Sequence, residues 1–215
     1  TIITFDKLWE QYERVIKPNG AIVLTASQPF TSALVMSNPK MFKYELIWEK
    51  PNPSNPLLAK KRFMSFHENV LVFYKKQPTY NAQKQVRNEK DKRKAVNKHY
   101  SKPEILGGSV SIEAIDTTGE FKHPSSVIKV NRQQGLHPTQ KPVELFEYLI
   151  KTYTNEGDLV LDNTAGSGTT AIACLNTSRQ FIVMEKEQKY YDIILKRVAD
   201  FNKNFEPQTL FGNEM

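Results

Sequence analysis

The sequence predicts an α/β protein with a largely parallel sheet. Short apolar runs typical of buried strands alternate along the chain with longer segments whose apolar residues recur at helical spacing. Residues 21–26 (AIVLTA) and 158–162 (DLVLD) show the first pattern, and residues 142–153 (PVELFEYLIKTY), which begin with a proline suited to a first helical turn, show the second. Alternation of strands with helices favours parallel pairing, because parallel neighbours need a crossover connection.

The predicted elements follow one another along the chain. Residues 5–16 have the apolar spacing of an amphipathic helix, which Pro18-Asn19-Gly20 ends. Residues 42–49 alternate between apolar and polar side chains, which is typical of a strand with one buried face. By the same criteria the further helices are 29–37, 169–176 and 187–201, and the further strands are 68–75 and 180–185.

Basic residues are concentrated in one part of the chain. The 215 residues carry a formal net charge of +7, and the stretch between Lys75 and Lys102 holds ten basic residues against two acidic ones, Glu89 and Asp91. Residues 76–135 also lack clear periodicity, so we predict an insertion outside the sheet core. A basic insertion on a near-neutral scaffold favours contact with the phosphates of a nucleic acid.

Composition excludes several classes of protein. A single cysteine, Cys174, rules out a disulfide framework and a cysteine-built metal site, and the four histidines are too scattered to bind a metal together. No apolar run reaches the roughly 18 residues of a membrane-spanning helix. Residues 1–17 resemble neither a signal peptide nor a transit peptide. We therefore expect a cytoplasmic protein without a metal site or a membrane partner.

The clearest candidate site is the glycine-containing loop after the strand 158–162. Gly166 and Gly168 permit backbone angles and a close ligand approach that a Cβ atom would block, and the helix that follows presents unpaired N–H groups. Asp162 ends this strand and Glu185 ends the next one, where a carboxylate can accept hydrogen bonds from both hydroxyls of a ribose. The pattern predicts a nucleotide cofactor.

Two other nucleotide-binding patterns fit this loop less well. A P-loop requires a lysine after its second glycine, which is absent here. The dinucleotide pattern is formally met by Gly166, Gly168 and Ala171, so a nicotinamide-dependent oxidoreductase is an alternative. The 30 residues after Glu185 are too few for the second half of that fold. Asp162 also favours a cofactor with a positively charged group, such as the amino group of methionine.

A second segment that contains candidate ligand-binding side chains is HPTQKP, residues 137–142. Its two prolines restrict the backbone just before a predicted helix, and the segment presents histidine, threonine, glutamine and lysine side chains. The Lys141 ammonium is a candidate for binding a carboxylate of the same cofactor.

Together these residues resemble the β-group of DNA amino-methyltransferases. The resemblance rests on HPTQKP at 137–142, DNTAGSGTT at 162–170 and Glu185, and it extends to IWEKPNP at 47–53 and SFHENVLVF at 65–73. It implies a Rossmann-like methyltransferase fold with a mostly parallel sheet and a basic target-recognition insertion. It also implies that the cofactor is S-adenosylmethionine.

The resemblance implies a role for each matching residue. Asp162 would lie beside the methionine amino group, Glu185 would hold the ribose, and residues 137–141 would close over the methionine end. Asn163-Thr164 stands where the family usually has Pro-Phe. The implied cofactor-binding residues are His137, Pro138, Thr139, Gln140, Lys141, Asp162, Asn163, Thr164, Gly166, Ser167, Gly168, Thr169, Glu185 and Lys186.

The resemblance also divides the chain into four parts. Residues 1–75 would form the catalytic half, 76–135 the target-recognition insertion, 136–201 the cofactor-binding half and 202–215 a tail. The family's catalytic motif, of the Asp-Pro-Pro-Tyr type, is not found, and we expect the catalytic residues upstream of Thr1. The candidates for DNA contact are Lys50, Asn52, Lys60, Lys61, Arg62, Arg87, Lys92, Arg93 and Lys94.

The function that the resemblance implies is methyl transfer from S-adenosylmethionine to the N6 amine of adenine in double-stranded DNA. Methylation of cytosine N4, and a DNA-binding subunit without catalysis, are the alternatives. A homodimer, a cognate restriction endonuclease, and a bacterial or viral origin are further expectations of the same resemblance.

Overall fold

Two compact units make up the computed structural model, which describes residues 4–88, 120–133 and 135–204. The larger unit is drawn from residues 1–81 and 126–215, and the smaller one from residues 82–125. In the larger unit the helices are α1 (Phe5–Val15), α2 (Phe30–Ser37), α3 (Val143–Tyr153), α4 (Thr169–Asn176) and α5 (Gln188–Asn204). The strands of the described residues are β1 (Ile22–Ala26), β2 (Phe42–Glu49), β3 (His67–Phe73), β4 (Gln85–Val86), β5 (Phe121–Lys122), β6 (Val127–Lys129), β7 (Leu159–Asp162) and β8 (Gln180–Val183).

The main sheet has four strands in the order β1-β3-β2-β6, and its strand directions are mixed. Strand β3 is antiparallel to both of its neighbours, whereas β2 and β6 are parallel, as are β7 and β8 in a separate pair. The predicted α/β class is confirmed, and the sheet is more mixed than the mostly parallel one that was predicted, because β3 is antiparallel to both of its neighbours. The connection from β2 to β3 contains one 3-10 turn, Pro56–Leu58, and lacks the helix that usually makes a parallel crossover.

Both faces of the main sheet are covered by helices. On one face Trp48, Val70 and Val72 pack with residues of α3, including Leu145 and Leu149. On the other face Leu71 and Phe73 pack with Trp9 of α1 and Leu34 of α2, and the Trp9 and Phe73 ring centroids lie 4.9 Å apart. Strand β3 is therefore buried on both sides, which explains its continuous apolar run.

The strands β7 and β8 are packed separately against α3 and α4. Ile150 of α3 contacts Ala173 and Cys174 of α4, with Val160 and Phe181 from the two strands against them. Burial raises the pKa of the Cys174 thiol to about 12. This packing orders the two strand ends that carry Asp162 and the residues leading to Glu185. Within the described part of the chain, no helix is long and apolar enough to cross a membrane.

The boundaries of the insertion and of the tail differ from those predicted. Strand β6 pairs with β2, and Ile128 and Val130 lie in the core, so residues after 125 belong to the larger unit rather than to an insertion ending at 135. A three-residue strand is too short for its periodicity to be detected. Helix α5 continues to Asn204, past the predicted start of the tail at 202, and residues 205–215 lie outside the described residues.

Candidate cofactor site

The cofactor loop, residues 162–168, joins the end of β7 to the start of α4. Its backbone is bonded to the end of β8 and to itself. The N–H of Met184 donates to the carbonyl of Asp162 (2.8 Å), and the N–H of Ala165 donates to the carbonyl of Met184 (3.0 Å). The N–H of Gly168 donates to the carbonyl of Ala165 (2.8 Å). These bonds fix the loop relative to both strands.

Asp162 is oriented by the loop that it begins. One carboxylate oxygen accepts the Thr164 N–H at 2.9 Å, and the other accepts the hydroxyl of Thr170. The side chain is half-buried. A carboxylate has about four lone-pair sites, so Asp162 can still accept a hydrogen bond from the amino group of a ligand.

Glu185 lies two residues after the end of β8 and faces the same loop. Its Oε2 accepts the Gly166 N–H at 2.8 Å, and its Oε1 accepts the Glu187 N–H at 3.0 Å. Glu185 is half-buried. The two bonds fix the plane of the carboxylate and leave further lone pairs for the hydroxyl groups of a ribose.

The two glycines serve different geometrical needs. Both have positive φ angles, +54° for Gly166 and +79° for Gly168. A Cβ atom on Gly168 would lie 2.9 Å from Cγ1 of Ile194 in α5, so this position also requires a bare backbone for packing. A Cβ atom on Gly166 would meet the ring of His137 at 3.5 Å, which is an ordinary contact. The left-handed conformation alone therefore selects glycine at Gly166.

The 137–141 segment lies against the cofactor loop, as the resemblance implies. The ring of His137 contacts the Gly166 position and meets the ring of Tyr190 at a centroid distance of 4.2 Å. The Thr139 N–H donates to Nδ1 of His137 at 3.1 Å, which places the ring proton on Nε2. The hydroxyl of Thr169 donates to the carbonyl of Lys141 at 3.0 Å and joins the segment to α4.

An ion cluster beneath this segment was not predicted. Lys141 Nζ lies 2.6 Å from Oε2 of Glu68, and Lys50 Nζ lies 3.1 Å from Oε1 of the same carboxylate. Both ammonium groups approach the ring of Trp48, at 5.8 and 5.6 Å from its centroid. Partial burial alone would raise the pKa of Glu68, but the hydrogen bonds and charges of the two lysines outweigh it and hold that pKa below its ordinary value.

The ion cluster changes the interpretation of two lysines. Lys141 was predicted to offer a cation to a carboxylate of the cofactor, but its ammonium is already paired with Glu68, which it shares with Lys50. Lys50 was predicted to contact DNA, and this is wrong because its residue is 2% exposed and its ammonium is bonded to Ser54 and Glu68. Glu68 lies near the start of β3, so the cluster links the carboxyl edge of the main sheet to the cofactor loop.

Other predicted cofactor residues occupy the rim of the loop. The Asn163 side chain accepts the hydroxyl of Tyr12 at 3.2 Å, and burial raises the pKa of that tyrosine. Ser167 is buried, and its backbone carbonyl accepts a guanidinium N–H of Arg197 at 2.7 Å. Gln140 accepts the Leu136 N–H through its side chain at 3.0 Å. Pro138, Thr139, Thr164 and Lys186 are exposed.

Three residues near the site escaped prediction. Tyr190 and Arg197 lie on α5, and Glu68 lies on β3, each in a segment whose pattern indicated only a helix or a strand. Their contacts with the cofactor loop or the 137–141 segment join residues distant in sequence. The nearest signal was the His67-Glu68 pair, which the resemblance included without a role.

The DNA candidates are distributed over both units. Lys60, Lys61 and Arg62 are exposed in the larger unit. Asn52 is exposed beside a cleft of about 500 Å³ that Pro51, Asn131 and Arg132 also line. In the smaller unit, a guanidinium N–H of Arg87 donates to the carbonyl of Phe121 at 3.1 Å. Lys92, Arg93 and Lys94 lie outside the described residues.

Comparison with known proteins places these motifs in one family. The family model for DNA methylases that act on N6 or N4 (N6_N4_Mtase) matches residues 3–196. The type II methyltransferase M2.DpnII of Streptococcus pneumoniae is 30% identical over 203 residues, which cover 93% of this chain and 68% of that protein. Curated relatives are longer than this chain, which spans 52% to 68% of the length of six of them.

Solved structures agree with the family assignment. The M1.HpyAVI–SAM complex is 28% identical and superposes with a TM-score of 0.60, covering 89% of this chain and 80% of that chain. PvuII DNA methyltransferase (cytosine-N4-specific) shares the fold, with a TM-score of 0.60 at 16% identity over 96% of this chain and 72% of that chain. The chain therefore belongs to the DNA methylase family, in the β-group of DNA amino-methyltransferases, whose cofactor is S-adenosylmethionine.

Proposed function

We propose that this protein binds S-adenosylmethionine at the cofactor loop and methylates the N6 amine of adenine in double-stranded DNA. The observation that carries the proposal is the pairing of two oriented carboxylates, Asp162 and Glu185, on either side of a glycine loop with left-handed backbone. A ligand with an amino group at one end and a ribose at the other suits this arrangement. Membership of the methylase family supports the reaction.

The residues of this chain would act mainly by binding and orienting. Asp162 would accept hydrogen bonds from the methionine amino group, and Glu185 would accept them from the ribose hydroxyls. His137, held between the Gly166 position and Tyr190, would cover the methionine end of the site. S-adenosylmethionine supplies a methyl group on a positively charged sulfur, and holding it in line with the attacking amine removes much of the entropic barrier.

The target amine must reach this site from inside a duplex. An exocyclic amine is a weak nucleophile because its lone pair is delocalised into the base, and the base must leave the helical stack before transfer. The carboxyl edge of the main sheet, with the cleft at Asn52 and Arg132, is the surface on which we place the base. No residue of this chain is assigned to accept the hydrogen bonds of the amine.

Cytosine N4 is the second candidate target. The family description covers N4 as well as N6, and PvuII DNA methyltransferase, which shares the fold, is cytosine-N4-specific. Either amine carries a delocalised lone pair, so the cofactor loop serves both reactions equally. The base identity therefore has to be measured.

Nucleoside mass spectrometry tests the proposal directly. The protein, extended to include the catalytic motif expected upstream of Thr1, is incubated with S-adenosylmethionine and unmethylated duplex DNA, and the DNA is digested to nucleosides. We expect N6-methyladenine, whereas N4-methylcytosine would establish the second candidate. Absence of both products, together with intact binding of cofactor and DNA, would favour a DNA-binding subunit without catalysis. The Asp162→Ala variant is the control that should yield no product.

The setting that the relatives suggest is restriction–modification in a bacterial cytoplasm. Type II methyltransferases such as M2.DpnII and M.HpaI match along most of this chain. We infer a homodimer and a cognate restriction endonuclease as partners. Light scattering of the purified protein measures the first, and protection of methylated DNA against candidate nucleases from the same genome measures the second.

A further inference from the structure

The segment between β2 and β3 forms a loop that is fastened at its base. The Lys50 N–H donates to the carbonyl of Phe66 at 2.7 Å, and the Ser54 N–H donates to the carbonyl of Ser65 at 2.9 Å. The Ser65 N–H donates to the side chain of Asn55 at 2.7 Å. Residues 55–65, which we call the apical loop, extend beyond these bonds and contain the turn Pro56–Leu58.

The apical loop exposes two large apolar side chains beside three cations. Leu57 is 96% exposed and Phe63 is 100% exposed. Lys60, Lys61 and Arg62 stand between them and are exposed as well. In the part of the chain that the structure describes, no hydrogen bond or ion pair engages the side chains of these cations, and residues 50–66 contain no Asp or Glu. Among the residues that the structure describes, none therefore covers the apolar groups or neutralises the charge.

The apical loop leaves the sheet at the edge that carries the cofactor site. It begins after Lys50, whose ammonium shares the Glu68 carboxylate with Lys141. The carbonyl of Lys141 in turn accepts the hydroxyl of Thr169 at the start of α4. One continuous set of bonds thus connects the root of the apical loop to the cofactor loop.

We propose that Leu57 and Phe63 insert into the base stack of duplex DNA while Lys60, Lys61 and Arg62 contact the flanking phosphates. The proposal rests on the proposed function, because extraction of a target base leaves a gap in the stack that apolar side chains can fill. Burial of two fully exposed apolar side chains and release of counterions from the phosphates would offset the loss of stacking.

Duplex DNA suits this loop better than two other occupants do. An anionic membrane would also attract the three cations. Membrane binding would not explain, however, why the loop lies at the edge of the sheet that carries the cofactor site. A second copy of this chain would bring further cations, since the formal net charge is +7. DNA alone supplies dense negative charge together with flat apolar surfaces between its base pairs.

A Phe63→Trp variant reports the environment of the loop. The native tryptophans, Trp9 and Trp48, are 5% and 2% exposed, so the introduced indole is the one that acrylamide reaches readily. With saturating duplex DNA we expect quenching of the indole by stacked bases and loss of its accessibility to acrylamide. The matched control is Met36→Trp. Met36 is 73% exposed near the end of α2, towards the amino end of β2 and away from the cofactor edge, so its substitute should stay accessible.

Binding measurements complete the test. Phe63→Ala should weaken duplex binding about tenfold through lost stacking, without changing its salt dependence. An indole at position 63 that stays as accessible as the control, while the protein binds and methylates DNA, would overturn this inference and leave the proposed function intact. Absence of duplex binding by the unaltered protein at low salt would overturn the proposed function itself. Protection by anionic phosphatidylserine vesicles but not by DNA, or protection that rises with protein concentration alone, would assign the loop to a membrane or to a second copy.

Discussion

The cofactor loop and the apical loop leave the same edge of the larger unit but are held in opposite ways. In the cofactor loop, backbone groups and both carboxylates are bonded to neighbouring protein atoms before any ligand arrives. In the apical loop, hydrogen bonds hold the base and the backbone turn that begins at Pro56, whereas the side chains of Leu57 and Phe63 meet solvent. A ligand of constant shape suits a site fixed in advance, whereas a long polymer suits side chains that adjust. Both loops depend on the ion cluster of Lys50, Glu68 and Lys141.

The largest effect is expected from Glu68→Gln, which removes the shared root of both loops. The change leaves the buried ammonium of Lys50 and the partly buried ammonium of Lys141 without their counter-charge. We expect a loss of about 3 to 4 kcal/mol in the free energy of unfolding, measured by urea denaturation. Glu10→Gln, at an exposed position of α1, should change it by less than about 0.5 kcal/mol.

The same variant should respond differently to acid. Because the pKa of Glu68 is lowered in the folded state, its stabilisation is complete above the ordinary pKa of 4.5 and is lost as the pH falls through the lower folded value. As the pH falls from neutral to below 4.5, the free energy of unfolding should therefore decrease more in the unaltered protein than in the Gln variant. Parallel curves of unfolding free energy against pH would contradict the role given to Glu68.

The next largest effect should come from Gly168→Ala, which tests how tightly the cofactor loop is built. The substitution forces an alanine into the left-handed conformation and brings its Cβ to 2.9 Å from Ile194. We expect a loss of about 2 to 3 kcal/mol in the free energy of unfolding, as the sum of strain and overpacking. Gly157→Ala is the matched control, because its φ of +80° is nearly the same but no atom lies within 4 Å. An equal loss in both variants would show that strain alone matters.

A smaller change in free energy is expected from the two carboxylates that we propose bind the cofactor. Asp162→Ala and Glu185→Ala should each weaken S-adenosylmethionine binding tenfold or more, because a hydrogen bond to a charged group contributes about 1.5 to 3 kcal/mol. Isothermal titration calorimetry measures the affinity, with Asp200→Ala on an exposed turn of α5 as the control. Unchanged affinity in both variants would remove the site assignment.

The smallest effect is expected in the apical loop, where substitutions should leave stability intact. Lys60→Gln and Lys61→Gln should each reduce the slope of log affinity for duplex DNA against log salt by about one unit. The reference variant is Lys40→Gln, which is exposed just before β2 at the opposite edge and should leave the slope unchanged. A fall in the melting temperature of either loop variant would show that these lysines serve the fold.

Local patterns in the sequence predict the cofactor loop better than they predict its surroundings. Gly166, Gly168 and Asp162 fall within ten residues of one another, so the backbone conformation they require and the strand before them could be inferred together. The residues that tertiary packing brings into contact with this loop could not be inferred in the same way. Glu68 lies 73 positions before Lys141, and nothing local to either residue indicates that they form an ion pair.

Strand direction is the other property that local patterns do not contain. The apolar run of β3 reads the same whichever way the strand is oriented, so its antiparallel position between β1 and β2 became visible only in the fold. Strand β6 was missed for a related reason, since three residues carry too little periodicity. Helices α3 and α4 were located to within a residue of their observed ends, because a proline precedes the first and a glycine loop the second.

The points at which the chain leaves and rejoins the larger unit, on either side of residues 82–125, are both anchored by backbone hydrogen bonds. Asn81 is anchored to α3 through its N–H, which donates to the carbonyl of Thr152 at 2.8 Å, and the carbonyl of Ser126 accepts the N–H of Ile47 at 2.8 Å. Two fixed points thus bracket residues 82–125, and all four strands of the main sheet lie outside this stretch. A replacement twice as long would add only about 0.6 kcal/mol of closure entropy. We therefore expect a designed chimera with another segment in place of residues 82–125 to retain the fold of the larger unit.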